Sequence, residues 1–247
     1  MAELKWLADV LGEVRDADVQ IDRQRRDAAG VEEHEGKSID APKAQAPPPV
    51  PPALGPLFAE LEARRDTARR ALEASLASSR FEALLTALRV VVQEPPLDGP
   101  DAEAPCAEAL PRLVLQAWKG LARKARDLRP RSDPTEFHRA RIRAKRLRYA
   151  AEAVAPALGP EASKAAVRMA GLATEVQDLL GEHQDAVHAE AAALAAADGH
   201  PDDPALAEAA HVLARRHHRA ARRARKDFPA LWRRLDRKKV RRWLDPS

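Results

Sequence analysis

His138, Arg141, Lys145 and Arg148 recur at i, i+3, i+7 and i+10, with Arg146 directly after Lys145. At 3.6 residues per turn this spacing lays the first four along one stripe of a helix. Guanidinium, ammonium and imidazole groups in a line do one kind of chemistry well, which is to hold a series of oxyanions. Arginine offers a fork to two phosphate oxygens, lysine a point charge, and histidine a contact that strengthens as pH falls toward its pKa. Unpaired cations are costly to bury. The stripe therefore needs either carboxylate neighbours or an anionic ligand.

Carboxylates exist at the same period: Glu175, Asp178, Glu182 and Asp185. Two neighbouring helices would then carry matched acid and base stripes, either as a salt-bridge ladder or as acids that orient some cations and leave others for a ligand. Base exceeds acid on these helices and on a last helix where Arg215, Arg216, Arg219, Arg222 and Arg223 cluster. That surplus favours a ligand. Facing walls are expected from Arg64, Arg65, Arg69 and Arg123 as well.

Other chemistries find less support. Glu182 with Asp185-x-x-His188 approaches the Glu-x-x-His pattern of helical metal sites, but the cations around it oppose a divalent ion. His217 and His218 are adjacent and point to different sides of a helix. Cys106, the single cysteine, stands in a Pro-rich loop without an evident histidine partner. Neither a Gly-x-x-x-x-Gly-Lys phosphate loop nor a Gly-x-Ser-x-Gly elbow occurs. The reading is therefore no catalytic residue, no metal and no cofactor, with a metal-dependent phosphohydrolase as a distant competitor. Nucleic acid is the closer alternative, since Arg-rich helices neutralise phosphates. A docking motif and a run of stacking aromatics are both missing, which leaves only non-specific polyanion contact.

The elements that must position these residues are helices. Ala, Leu, Glu and Arg dominate the 247 residues, and aromatics make up 4%. The spacing predicts helices over 2–28, 57–77, 79–93, 106–129, 134–155, 161–197 and 203–242, the last bent at Pro229. In the fourth, Leu113, Trp118 and Leu121 are read as inward. Asp133, Pro134 and Glu136 mark the start of the cationic helix. That helix shows no clean apolar side: Ile142 and Tyr149 flank the cations. Residues 30–56, with the tract Ala46-Pro-Pro-Pro-Val-Pro-Pro-Ala53, read as a linker without packed structure. The formal charge is +4, yet residues 205–247 hold 14 Lys/Arg against 4 Asp/Glu, so the basic end faces a net acidic remainder. A lone cysteine, no apolar run of membrane-spanning length and no signal-peptide pattern make the cytoplasm the expected compartment.

An internal repeat divides the chain. Val10-Leu-Gly-Glu-Val-Arg-Asp-Ala-Asp18 aligns with Leu179-Leu-Gly-Glu-His-Gln-Asp-Ala-Val187 at an offset of 169, and Asp9 with Asp178. The second copy follows the cationic helix; the first copy opens the chain.

His138-Arg-Ala-Arg-Ile-Arg-Ala-Lys-Arg-Leu-Arg-Tyr149, followed by Leu180-Gly-Glu-His-Gln-Asp185, resembles the CHAD family, the conserved histidine α-helical domains. Its pattern is His-x-x-Arg-(Val/Ile)-x-x-(Lys/Arg)-(Lys/Arg)-x-Arg, then Leu-Gly-x-x-x-Asp. His138, Arg141, Ile142, Lys145, Arg146 and Arg148 fill the first part, and Gly181 and Asp185 the second. The resemblance implies an all-α fold of two pseudo-symmetric helical bundles with a basic groove between them. It implies inorganic polyphosphate as ligand, often with a CYTH-type triphosphate-processing domain as partner, and association with polyphosphate granules. One domain over 1–247 is expected, with a first half at 1–94 and a second at 106–247. The family's first half carries its own His-x-x-Arg helix, which this sequence does not show. The first bundle is thus expected to lack its opening helix and to expose apolar surface on residues 4–21.

Overall fold

A computed structural model describes residues 2–29, 49–95 and 102–244. All regular structure among them is helical: α1 (Ala2–Ala28), α2 (Gly55–Leu76), α3 (Ser79–Gln93), α4 (Cys106–Ala125), α5 (Pro134–Val154), α6 (Pro160–Gly199), α7 (Pro204–Leu235) and α8 (Lys238–Arg241), with 3-10 turns at Pro52–Leu54, Ala155–Ala157 and Arg242–Leu244. The all-α expectation holds. Residues 30–48 of the Pro-rich tract lie outside the described residues. The end of that tract is packed, contrary to expectation: Leu54 is fully buried, because two prolines pre-set a helical turn that turns the leucine into the core.

The chain forms two compact units. One comprises Met1–Pro96 and Val187–His218; the other comprises Leu97–Ala186 and Arg219–Ser247. Dividing the sequence into 1–94 and 106–247 misses that α6 and α7 each contribute to both. Residues 187–218 supply Ala196, Leu206 and Leu213 to the first core, beside Ile21, Leu57 and Phe58. Sequence order cannot reveal this, because the helical pattern of α6 and α7 is uninterrupted.

The first unit pairs α1 with α2. Only the C-terminal part of α1 is well covered: Ile21, Arg23, Gln24 and Ala28 are buried, whereas Leu4 and Leu11 are 43% and 46% exposed. Apolar surface is exposed at Leu4 and Leu11, whereas Ile21, at the end of the expected 4–21 stretch, is buried. A polar network closes the covered end. Gln24 donates to the Ala189 carbonyl at 2.9 Å, and its own carbonyl oxygen lies 2.7 Å from His217 Nε2; both side chains are fully buried. His217 Nδ1 lies 3.1 Å from Asp27 Oδ2, a close contact that is not aligned as a hydrogen bond. Burial pushes the Asp27 carboxyl up, but His217, Arg23 and Arg216 outweigh it and hold the carboxyl below its ordinary value.

The second unit packs α4 against α5 around Val114, Trp118, Leu121, Phe137, Leu147, Met169, Leu180 and Phe228. Trp118 and Leu121 face inward as expected. Leu113 does not: it is 51% exposed, because the inward line of α4 runs through Pro111, Val114, Trp118 and Leu121. Helix α5 starts where Asp133 accepts from Thr135 N at 2.8 Å and Thr135 Oγ1 at 2.7 Å, with Pro134 at the first position. Such a cap contributes about 1 kcal/mol. Helix α7 runs through Pro229 and stops at Leu235; the expected helix to residue 242 is broken at Arg237, whose extended backbone (ψ 133°) caps α8.

Candidate anion-binding face

The cationic helix has a clean buried side after all. Phe137, Ala140, Ala144, Leu147, Ala151 and Val154 follow i, i+3, i+7, i+10, i+14 and i+17, each at most 6% exposed. Burial of Phe137 and Leu147 contributes roughly 2–3 kcal/mol apiece; the alanines contribute less but let neighbouring helices come close. Ile142 and Tyr149, read as flanking the contact face, are 39% and 48% exposed.

The alanine stripe sets where the cations go. Arg141 flanks it on one side and lies over buried Gly181 of α6: a Cβ there would sit 3.4 Å from Arg141 Nε. Arg143 flanks it on the other and lies over buried Gly120 of α4, whose Cβ would sit 3.8 Å from its Cδ and Nη1. Both arginines are half-buried, and Arg141 Nε is sealed from solvent without a hydrogen-bond partner. Arg148 approaches Glu152 at 3.6 Å and stacks on Tyr149 at 4.5 Å; the Lys145 ammonium lies 5.7 Å from the same ring. His138, Lys145 and Arg146 are exposed.

Matched acid and base stripes do not zip together as a ladder. Glu175 is held by Arg234 of α7, at 2.7 and 3.2 Å. Glu182, Asp185 and His188 have partners of their own. They do not assemble as metal ligands: among the described residues no three His, Cys, Asp or Glu side chains form such a group. Among the described residues, His138, Arg141, Lys145 and Arg146 form no ion pair with any carboxylate.

The remaining candidates divide between the units. Arg123, Arg219, Arg222 and Arg223 belong with α5 in the second unit, and all four are exposed. Arg64, Arg65, Arg69, Arg215 and Arg216 belong to the first. There Arg65 lies 3.4 Å from Asp66, Arg69 lies 3.4 Å from Asp18, and Arg216 donates to the Asp27 carbonyl. Arg64 lines a groove of α1 and α2 shared with Glu13 and Asp16. His217 is buried and His218 exposed 3.0 Å from Glu190, so the two do part. Cys106 is exposed at the first position of α4, where the predicted helix 106–129 begins, directly after the Pro-rich loop.

Residues 1–194 match the CHAD domain. The chain belongs to the CHAD family. An uncharacterised protein of Mycobacterium tuberculosis, Rv2226, is 32% identical over 188 residues, which is 75% of this CHAD chain and 32% of the relative. The chain thus spans about a third of that relative's length. Among the described residues of the CHAD chain, no helix is long and apolar enough to cross a membrane.

Two residues of this CHAD domain escape the sequence reading. Arg225 of α7 donates from Nε to His183 Nε2 at 2.8 Å, and its guanidinium carbon lies 5.3 Å from the centre of the Phe137 ring. His183 is fully buried, with its ring 4.7 Å from Phe137. Burial, reinforced by the Arg225 charge, pulls its pKa down to about 4, so the ring is neutral at pH 7. Arg225 has no distinguishing mark in a run of arginines. His183 has one: it occupies the repeat position of Val14, a sign that this side chain faces inward.

Proposed function

We propose that this CHAD domain binds inorganic polyphosphate, without acting on it chemically, through His138, Arg141, Lys145, Arg146 and Arg148 of α5. The observation that carries this reading is that four of the five form no ion pair with a carboxylate among the described residues, although acidic side chains are abundant in the chain. An intramolecular ladder would have neutralised them. A flexible polymer with one negative charge per phosphoryl group suits a row of fixed cations and asks for no nucleophile, acid or base. Arg123, Arg219, Arg222 and Arg223 extend the cationic surface within the same unit; Arg64 and Arg215 are offered as phosphate contacts of the first unit, where Arg65, Arg69 and Arg216 are already occupied. A CYTH-type domain, as protein partner or neighbour in a longer chain, and association with cytoplasmic polyphosphate granules belong to the same reading.

A salt-dependent titration of long-chain polyphosphate against single-stranded DNA tests it, with wild type and the Arg141→Ala/Lys145→Ala variant. Polyphosphate should outcompete DNA, the double variant should lose most of the affinity, and log affinity should fall steeply with log salt. The exposed arginines of α7 give the competing reading, a general polyanion binder, its footing. Equal binding of both polymers, indifferent to the two substitutions, would establish that reading instead.

A further inference from the structure

Arg225 is held at two points. Its Nε is fixed by a 2.8 Å hydrogen bond to His183, and its face by Phe137, which itself meets Phe228 edge-on at 6.2 Å. The acceptor is costly to provide. His183 has no exposed surface, must present an unprotonated Nε2 to Arg225, and therefore carries its proton on Nδ1, which is buried without a hydrogen-bond partner. A ring placed only to fill the core would not need that arrangement; an apolar side chain would fill the space. Among the described residues no carboxylate forms an ion pair with Arg225, and its two terminal nitrogens form no hydrogen bond. Asp133 is near enough to feel its charge, but it also feels Arg139 and already accepts from Thr135 N and Oγ1.

We propose that Arg225 is a pre-set phosphoryl clamp at the start of α5, binding two oxygens of one tetrahedral oxyanion through its terminal nitrogens, with His183 as the residue that positions it. Fixing Nε and the ring face leaves the outer edge of the fork as the free donor surface, the edge that matches a phosphate bidentately. Little side-chain entropy remains to be lost on binding. For the polymer, this inference rests on the polyphosphate reading; for the single phosphoryl group it stands by itself.

The experiment follows the Arg225 Nε–H resonance in nitrogen-15-labelled protein during separate titrations with orthophosphate and long-chain polyphosphate. Alongside, polyphosphate affinity is measured for Arg225→Ala, Arg225→Lys, His183→Leu and His183→Gln, with circular dichroism confirming the fold of each. Both ligands should shift the resonance. Arg225→Ala should weaken polyphosphate binding about tenfold, the scale of one lost charge-assisted contact, and lower the salt slope by about one. Arg225→Lys should not restore it. His183→Leu should weaken binding at unchanged helicity, and His183→Gln, which keeps an acceptor, should recover much of the loss. A resonance that moves with orthophosphate in a protein indifferent to polyphosphate would uphold the clamp and sink the polymer reading. Polyphosphate binding that leaves the resonance and the Arg225→Ala affinity unchanged would overturn the clamp alone. No shift with either ligand would overturn it too.

Discussion

Arg141→Met separates what stabilises this fold from what it does. Arg141 Nε is sealed from water and has no hydrogen-bond partner, so the folded state bears the desolvation cost of that donor. An unsatisfied buried donor costs about 1–3 kcal/mol. Methionine reproduces the length and flexibility of the arginine stem over Gly181 and brings no donor with it. Some packing is lost with the guanidinium, which leaves a net gain of about 1 kcal/mol, or an increase in Tm of about 2–4 °C for a chain of this size. The same change removes a fork from the proposed anion-binding face. Polyphosphate affinity should fall about tenfold or more, since hydrogen bonds from a charged donor are worth about 1.5–3 kcal/mol. Differential scanning calorimetry and a fluorescence-anisotropy titration on one protein batch read both quantities. A lower Tm together with unchanged affinity would refute the reasoning, because Arg141 would then be a packing residue that stabilises the α5–α6 contact.

The two repeat glycines and the buried His183 carry three further predictions. Gly12 and Gly181 occupy equivalent repeat positions, but nothing lies within 4 Å of a Cβ at Gly12. Gly12→Ala should therefore raise stability by about 0.5–1 kcal/mol in urea unfolding, from helix propensity alone. Gly181→Leu should displace the Arg141 guanidinium and weaken polyphosphate binding, whereas Gly181→Ala, at 3.4 Å from Nε, should leave binding intact. His183 has a folded pKa of about 4 against an ordinary value of 6.5, so the unfolded chain takes up its proton first as pH falls. Stability should drop between pH 6.5 and 4 by up to about 3 kcal/mol, and that pH-dependent loss should be absent from His183→Gln. Urea midpoints at pH 7 and pH 4.5 decide it; an equal pH-dependent drop in the variant would assign the acid sensitivity to other groups.

Helices were legible wherever leucines and prolines punctuated the chain, because propensity and caps act locally. The start of α5 at Asp133 and Pro134 is such a case. The packing of α5 was harder to read. Its buried stripe is mostly alanine, a residue too common in this chain to stand out as a contact face, so the arginines dominated the pattern and the contact side stayed hidden. The cationic residues were found because charge at helical spacing is conspicuous. Their partners were not: whether Glu175 meets α5 or Arg234 depends on which helices adjoin, and one-dimensional periodicity is silent on that. His183 and Arg225 were missed for the same reason, since a pair 42 residues apart leaves no periodic trace.

The sharing of α6 and α7 between the two compact units has a consequence for anyone who dissects this protein at the level of its gene. Neither unit is a contiguous stretch of codons. A truncation ending near residue 100 would remove Ala196, Leu206 and Leu213 from the core that holds Phe58, together with the Gln24 partners Ala189 and His217. The reverse fragment, beginning near residue 102, would keep Leu206 and Leu213 with nothing from α1 or α2 to cover them. Binding maps built from half-length fragments would therefore report on damaged cores, and single-residue exchange in the whole chain is the sound way to divide its functions.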